Sequence, residues 1–237
     1  WLARPGHHLL GRQDPRYPPL LRQAPQPPQA LFVDGDPDLL WLPAVAVVGS
    51  RGASAGGCDN ARRFSATLCR AGVAITSGLA AGIDASAHQA ALATPAGITL
   101  AVLGTGPDLA YPRRHADLRE RIAAQGAVVS EHPPGTAART WHFPARNRII
   151  AGLSLGTLVV EAALRSGALI TARLAAEAGR EVFAIPGSIH QPQARGCHRL
   201  IREGAALVEA PDEVLAGIAP LATRLALALG PPEGDRT

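Results

Sequence analysis

The sequence predicts an α/β fold, an open, doubly wound and mostly parallel sheet of the extended Rossmann-like kind, with about six or seven strands. From Ala44 onward, short β-branched runs alternate with alanine-rich helical stretches, and the runs are continuously apolar. Strands of this kind, separated by helices, are typical of a parallel sheet that is covered on both faces. The length of 237 residues allows one large α/β domain with small appendages.

The individual elements follow from the same alternation. Apolar runs predict strands at 45–48, 73–76, 98–103, 127–129, 157–160, 181–185 and 205–208. The stretches between them predict helices at 59–70, 85–92, 117–124, 146–153, 168–178 and 198–203, and a last short helix follows Glu213.

The chain divides into three parts on this basis. Residues 1–43 are proline-dense, so we expect an extended lead-in with at most a short strand at 30–33, interpreted as what could remain of a helical domain. Residues 44–219 are predicted as the Rossmann-like domain. Residues 220–237 are predicted as a tail with no room for a further domain.

Composition excludes several classes of protein. Apolar residues make up 47% and charged residues 18%, so a substantial core is expected rather than disorder. All 23 basic residues are arginines, which excludes Schiff-base and P-loop lysine chemistry and leaves planar guanidinium groups suited to phosphate or carboxylate. The net charge of +4 permits a nucleic-acid partner without requiring one.

Cysteine usage and hydropathy indicate a cytoplasmic protein with no membrane partner. Cys58, Cys69 and Cys197 fit neither a C-x-x-C pair nor a zinc spacing, and their odd number argues against a disulfide framework. No apolar run reaches the roughly eighteen residues that span a bilayer, and the first residues do not resemble a signal peptide.

The ends of the predicted strands suggest where a ligand binds. Ligands of such sheets lie outside the carboxyl ends of the strands. Nearly every predicted strand ends in glycine or serine, at 49–52, 77–82, 104–106, 130–131, 166–167 and 186–188. Taken alone, any one of these loops is explained equally well as a tight turn between a strand and a helix. Together they predict a shared anion site, because small residues expose backbone N–H groups at helix N-termini.

The first of these loops does not fit the common nucleotide motifs. It reads G-S-R-G-A-S-A-G-G, and the second strand ends at T-S-G without the acidic residue that would hold a ribose, so a dinucleotide cofactor is disfavoured. A G-x-x-x-x-G-K motif is absent as well. The loop instead offers the hydroxyl of Ser50 and the bidentate fork of Arg51 to a phosphate.

The segment H-F-P-A-R-N-R places one aromatic ring and two arginines at a loop-to-helix junction. An aromatic ring that stacks on a base, beside arginines that hold phosphates, is typical of single-stranded nucleic-acid binding. Alternatively, Phe143 belongs to the core and Arg146 or Arg148 pairs with a carboxylate such as Glu131 or Glu161.

Three further residues could carry chemistry. Asp84 and His88 are four residues apart on one helical face, but no third ligand or nucleophile completes a metal or catalytic site. We therefore favour an N-cap or first-turn aspartate and a largely buried, hydrogen-bonded histidine. Glu161 stands alone at the end of an apolar strand, as either a catalytic base or the buried partner of an arginine.

Taken in order, these motifs resemble the DNA-processing protein A family (DprA, also called Smf). They are V-G-S-R at 48–51, S-G-L-A-x-G-I-D at 77–84, F-P-x-R-N-R at 143–148, S-G-A-L-I-T-A at 166–172 and P-G at 186–187. Each motif alone is weak, but their shared order from about residue 17 to about residue 210 is specific.

The resemblance implies a non-enzymatic protein of natural transformation, without cofactor, metal or catalytic residue. Such a protein binds incoming single-stranded DNA without sequence preference, protects it, and helps to load the RecA recombinase as a homodimer. The resemblance places the DNA site in residues 44–219. The motif residues that would bind DNA are Gly49, Ser50, Arg51, Gly78, Phe143, Arg146, Asn147, Arg148, Ser166, Gly167 and Thr171.

Two departures from the family pattern stand out. The loop after G-S-R often continues to a Tyr-Gly pair, where this chain has Ala55 and Gly56. Many members also carry an N-terminal helical domain and a C-terminal winged-helix-like domain. Here the first is at most a remnant and the second is not expected.

A nucleotide phosphoribohydrolase of the lysine-decarboxylase-like family is the alternative. Such enzymes use a Rossmann-like sheet and a P-G-G-x-G-T-x-x-E motif, whose glutamate acts on the N-glycosidic bond. In this chain Gly156 and Thr157 precede Glu161, but the P-G-G is absent and Thr157 opens a strand rather than a helix.

Overall fold

The strands of the described residues, 1–229, form one nine-stranded sheet in this computed structural model. They are β1 (His7–Gly11), β2 (Ala30–Gly35), β3 (Ala44–Val48), β4 (Ala74–Ser77), β5 (Thr99–Val102), β6 (Ala127–Ser130), β7 (Gly156–Val159), β8 (Glu181–Ala184) and β9 (Ala206–Leu207).

Helices connect most of these strands. They are α1 (Pro19–Arg22), α2 (Ala55–Arg70), α3 (Ile83–Ala93), α4 (Ala116–Gln125), α5 (His142–Gly152), α6 (Gly167–Glu177), α7 (Arg195–Arg202) and α8 (Pro211–Leu229). Short 3-10 turns occur at Pro37–Trp41, Arg113–His115 and Pro192–Ala194.

The strand order confirms the predicted doubly wound fold. It is β1-β2-β6-β5-β4-β3-β7-β8-β9, and the seven strands from β6 to β9 in this order are parallel. The chain runs outward from β3 to β6 and then returns to β7 on the other side of β3. This reversal creates a crevice between the carboxyl ends of β3 and β7, which is where open α/β sheets bind their ligands.

The strands are apolar throughout because both faces of the sheet are covered. In β3, Ala44, Ala46 and Val48 belong to one buried cluster, whereas Val45 and Val47 belong to another. The first cluster lies beneath α5, α6 and α7, and the second beneath α2, α3 and α8. The alternation of neighbouring side chains between opposite faces explains why the sequence shows no polar residue in this strand.

The lead-in is more regular than its composition predicts. β1 pairs with β2, and β2 pairs with β6, both antiparallel, so residues 1–43 extend the main sheet by two strands. The prolines of this segment lie outside both strands, where the missing N–H disturbs no ladder. Tyr17 ties the intervening loop together, because its buried hydroxyl donates to the Pro28 carbonyl at 2.8 Å.

The last helix is longer than predicted. α8 continues through Pro220 to Leu229, whereas the sequence predicts a tail from residue 220. Leu221 and Leu225 pack against the cluster beneath α2, and this packing favours the helix despite the internal proline. The remainder of the predicted tail, 230–237, lies outside the described residues. No helix within residues 1–229 is both long and apolar enough to cross a membrane.

Candidate functional site

The crevice between β3 and β7 holds a cavity of about 620 Å³, here called the main cavity. Its walls are the loop 49–52 after β3, the loop and first turn of α6 at 163–171, and the start of α5. A second cavity of about 350 Å³, the side cavity, adjoins it; both are lined by Arg51, Tyr111, Phe143 and Arg146.

The structure brings ten of the eleven residues named from the sequence to these two cavities. Gly78 lines the side cavity. The other nine line the main cavity: Gly49, Ser50, Arg51, Phe143, Arg146, Asn147, Ser166, Gly167 and Thr171.

Arg148 is the exception, because it lines neither of these two cavities. Its guanidinium pairs with Glu131, with Nη1 3.0 Å from Oε1, beside a separate cavity of about 550 Å³ next to the lead-in. Arg146 and Arg148 are two positions apart on α5, a rotation of about 200°, so they point to opposite sides of the helix. The sequence left open that Arg148 pairs with a carboxylate such as Glu131, and the structure shows this pair.

Arg146 forms the floor between the two cavities. It is only 5% exposed, and its Nη1 donates to the Gly78 carbonyl at 2.8 Å and to the carbonyl of Val102. Nε donates to Oδ1 of Asn147 at 3.0 Å. Burial lowers the pKa of Arg146 to about 10 while Asp84 opposes that shift, so the group remains a cation at neutral pH.

Gly78 permits this arrangement because it has no side chain. A Cβ at this position would overlap the guanidinium of Arg146. The glycine that the sequence suggested as a source of an exposed N–H therefore contributes a carbonyl to a buried arginine. Asn147 extends the connection to α6, since its Nδ2 donates to the Gly167 carbonyl at 3.3 Å.

Asp84 holds the same loop from the opposite side. Its Oδ2 accepts from the N–H groups of Gly78 at 3.1 Å and Ala80 at 3.3 Å. Burial raises the pKa of this carboxyl, and Arg146 and the two N–H groups act in the opposite direction. Asp84 lies in the first turn of α3, as the sequence predicts, and it fixes the loop that supports Arg146.

His88 is buried and hydrogen-bonded, in agreement with the interpretation favoured from the sequence. Its Nδ1 lies 2.7 Å from the Thr99 hydroxyl, which itself donates to the Ile75 carbonyl at 2.8 Å. Thr99 must therefore accept from Nδ1–H, which leaves Nε2 unprotonated, and this atom has no hydrogen-bond partner among residues 1–229. Burial and the nearby Arg146 lower the pKa of His88 to about 3, so the ring is neutral.

Glu161 holds Ser54, the N-cap residue of α2, and lines neither cavity. Its carboxylate accepts from the Ser54 N–H at 2.9 Å, from the Ser54 hydroxyl, and from Nε2 of Gln191 at 3.1 Å. A Cβ at Gly57 would overlap this carboxylate. Glu161 therefore supplies the negative charge that the N-terminus of α2 favours, and within residues 1–229 it forms no ion pair with an arginine.

The N-terminus of α6, by contrast, opens onto the main cavity. Ser166 is its N-cap, and the serine hydroxyl accepts from the Ala168 N–H at 3.2 Å. Ser166, Gly167 and Thr171 all line the cavity, and the exposed Arg165 precedes them. Small residues, a helix N-terminus and a guanidinium together form a suitable site for an anion.

Aromatic rings stand beside these positive groups. The ring centroids of Phe143 and Tyr111 are 5.0 Å apart, and Cζ of Arg51 lies 5.8 Å from the centroid of Phe143. Trp141 is 65% exposed nearby, with Cζ of Arg139 5.6 Å from its ring centroid. The site therefore presents flat apolar surfaces and cations to the same solvent-facing space.

Three exposed arginines around the cavities are available to a ligand. Arg51, Arg114 and Arg165 line the main cavity, the side cavity or both. Within residues 1–229 none of them forms an ion pair. Unpaired guanidinium groups around a concave surface attract anions without first having to release a carboxylate.

Several residues of the site were not predicted from the sequence. Tyr111, Arg114 and Arg165 line the cavities although they were not named as binding residues. The position of Arg165 next to the S-G loop at a strand end was a usable signal. Nothing in the local sequence indicated that Tyr111 would meet Phe143, because they are 32 positions apart along the chain, from 111 to 143.

None of the three cysteines lines the main cavity or the side cavity. Cys58, Cys69 and Cys197 are free thiols, and burial raises the pKa of Cys69 and of Cys197 to about 11. Within the described residues, no group of three or more His, Cys, Asp or Glu side chains is placed to hold a metal ion.

A doubly wound sheet with a crevice at the carboxyl ends of its strands is the architecture of a Rossmann-like protein, and the arginines and glycines that line the cavity there have the chemistry that suits an anion. The chain belongs to the DNA recombination-mediator protein A family, whose profile matches residues 8–219. The resemblance stated from the motifs is thereby confirmed.

Individual relatives agree with this assignment. Protein Smf of Escherichia coli is 52% identical over 216 residues, which cover 91% of this chain and 58% of that protein. The chain therefore spans little more than half the length of that relative. The DNA processing protein DprA of Streptococcus pneumoniae is 49% identical over 203 residues, which are 86% of this chain and 71% of that protein.

Solved structures show the same fold. The X-ray structure of the Streptococcus pneumoniae protein has a TM-score of 0.85 at 47% identity, and the match covers 90% of this chain and 74% of that one. DNA processing protein A from Helicobacter pylori has a TM-score of 0.78 at 27% identity, with 88% and 94% covered. That structure describes the single-stranded DNA binding mode of the Helicobacter pylori protein.

The buried histidine generates a prediction about acid stability. The pKa of His88 is about 3 in the folded chain against 6.5 for an ordinary histidine, so the unfolded state takes up a proton first as the pH falls. The free energy of unfolding therefore decreases below about pH 6.5. Between pH 7 and pH 5 this contribution is about 2 kcal/mol.

Chemical denaturation of the wild type and of His88→Asn at both pH values measures this contribution. Between pH 7 and pH 5 the free energy of unfolding should fall by about 2 kcal/mol more in the wild type than in the variant, because asparagine does not titrate. Asp84, His115 and Arg146 are retained in both proteins, so their contributions cancel in the comparison. Equal losses in the two proteins would show that His88 is protonated in the folded chain.

Proposed function

We propose that this chain binds single-stranded DNA, without sequence preference, in the main cavity at the strand ends. In this proposal it acts in the cytoplasm during natural transformation, where it protects the incoming strand and helps to load the RecA recombinase. Membership of a recombination-mediator family supports the proposal, as does the single-stranded DNA binding described for the Helicobacter pylori relative.

The observation that carries the proposal is the pairing of a ring and a cation at the cavity mouth. Phe143 offers a face on which any base can stack, and Arg51 beside it offers a fork to the phosphate of the same nucleotide. Neither group reads the edge of a base, which is consistent with binding that is independent of sequence. The other exposed cation of the main cavity, Arg165, stands next to the N-terminus of α6 and serves a neighbouring phosphate.

Arg146 has a different role in this proposal. Its hydrogen bonds to the carbonyls of Gly78 and Val102 hold it in the floor, so it contributes a fixed positive charge beneath the DNA. Asn147 links this floor to the first turn of α6. Arg148 is left out of the proposed DNA site because Glu131 already neutralises it.

We also propose that the protein acts by binding and not by catalysis. The hydrolase alternative requires Glu161 to approach an N-glycosidic bond, but this carboxylate lines neither cavity and accepts from Ser54, the N-cap residue of α2, and from Gln191. Sustained release of free base from nucleoside monophosphates, lost in Glu161→Gln, would overturn this part of the proposal.

Fluorescence anisotropy with labelled oligonucleotides tests the binding proposal. Single-stranded DNA should bind more tightly than duplex of the same length. If about three to five phosphates are neutralised, the logarithm of the affinity should fall against the logarithm of the salt concentration with a slope of about −2 to −3.5. A flat salt dependence or a preference for duplex would contradict the proposal.

Two arginine variants show whether binding occurs at the cavity. Arg51→Ala should weaken binding about tenfold, because it removes a charge-assisted contact to phosphate. Arg224→Ala, an exposed position on α8 away from the cavity, is the matched control and should change the affinity less than twofold. Thermal unfolding should be the same in both. Equal losses of affinity would mean that binding follows net charge rather than a site.

We propose further that the protein is a homodimer that uses the outer edge of β9. This two-residue strand pairs only with β8 among the strands of residues 1–229, so one edge of the sheet has unpaired backbone groups. Leu207 on this strand is 48% exposed. An apolar side chain on an open sheet edge favours association with another chain, and a second copy offers the same edge.

Sedimentation velocity tests this assembly. The wild type should sediment as a dimer at micromolar concentration, and Leu207→Glu should shift it to the monomer, because two carboxylates would then face each other at the edge. Leu227→Glu places the same charge at an exposed leucine of α8 and should leave the dimer intact. A monomeric wild type, or dissociation by Leu227→Glu alone, would contradict the proposed edge.

A further inference from the structure

We infer that the side cavity binds a second nucleotide of the same DNA strand and that Arg114 holds its phosphate. This inference rests on the proposed function, because it extends the strand beyond the main cavity. The side cavity, about 350 Å³, is within the size range of about 300–1,000 Å³ that is usual for small-molecule sites.

The lining of the side cavity has the chemistry of a nucleotide site. The floor is made of Gly78, Ala80 and Ala81, whose small side chains leave room for a ligand. The walls carry the ring of Tyr111 and the guanidinium of Arg114. A ligand that satisfies these groups has a flat apolar part and a negative charge, as a nucleobase and its phosphate do.

The residues that line both cavities lie where a DNA strand would pass from one cavity to the other. Tyr111 and Phe143 line both, with ring centroids 5.0 Å apart and ring planes inclined by 38°. Arg51 and Arg146 also line both cavities. A base on the main-cavity side of this ring pair and its neighbour on the side-cavity side would share the two cations between them.

Arg114 lies on a turn that is hydrogen-bonded to the floor loop of the side cavity. It is the middle residue of the 3-10 turn Arg113–His115, and Nδ1 of His115 donates to the Leu79 carbonyl at 2.9 Å. Leu79 is fully buried in the floor loop with φ 58°, a left-handed conformation that a non-glycine residue keeps only where its surroundings fix it. The turn and the floor of the side cavity therefore hold their positions relative to each other.

The neighbouring arginine provides the matched control. Arg113 and Arg114 are both exposed, but Arg114 lines the side cavity whereas Arg113 lines neither cavity. Neither forms an ion pair within the described part of the chain. Alanine at either position removes the same charge from the same turn, so only the location of the charge differs.

Competition against a labelled thymidine oligonucleotide tests the inference with two competitors, thymidine 5′-monophosphate and the 5′-phosphorylated thymidine dinucleotide. In Arg114→Ala the dinucleotide should bind about tenfold more weakly, because one charge-assisted phosphate contact is lost. The monophosphate, which fits the main cavity alone, should change less than twofold. For the labelled oligonucleotide, the salt slope should become shallower by about 0.7, the value of one phosphate on a single strand.

The results separate this inference from the proposed function. Arg113→Ala should leave both competitors within twofold of the wild type. If Arg114→Ala matches Arg113→Ala, or if it weakens both competitors equally, the second subsite is refuted while the proposed function stands. If the wild type binds no single-stranded DNA, the proposed function itself fails.

Discussion

The contact between the buried guanidinium of Arg146 and the carbonyls of Gly78 and Val102 is the constraint on which the site depends. It joins α5 to the ends of β4 and β5, and Asn147 carries the connection on to α6. Asp84 accepts from the Gly78 N–H and so holds the same loop from the opposite side. A buried cation is costly unless it is paired and hydrogen-bonded, so these groups are needed together.

This arrangement divides the charged groups of the site by role. Arg146 and Glu161 are buried and hydrogen-bonded, and they shape the strand ends, the first as a structural cation and the second as the carboxylate that holds the N-cap residue Ser54. Arg51, Arg114 and Arg165 are exposed and unpaired within residues 1–229, so they remain available to an anion. Burial decides which ionisable residues build the cavity and which ones stay exposed to solvent around it.

Much of this could be predicted from the sequence, because apolar strands and small residues at strand ends are local signals. They gave the seven parallel strands and the edge of the sheet at which the cavity lies. The position of Arg148 outside the two cavities could also have been predicted, since helical periodicity places it on the opposite side of α5 from Arg146. Two other contacts could not be predicted, because they join residues far apart in the chain. They are the hydrogen bond between Glu161 and Ser54 and the ring contact between Tyr111 and Phe143.

A structure of the protein bound to a short single-stranded oligonucleotide would show whether the DNA lies in the main cavity. We expect a phosphate between Arg51 and the first turn of α6, a base against Phe143, and Arg146 still on the carbonyls of Gly78 and Val102. DNA bound elsewhere on the chain with the main cavity empty would refute the proposed site. So would an Arg146 that has left those carbonyls to take the phosphate itself.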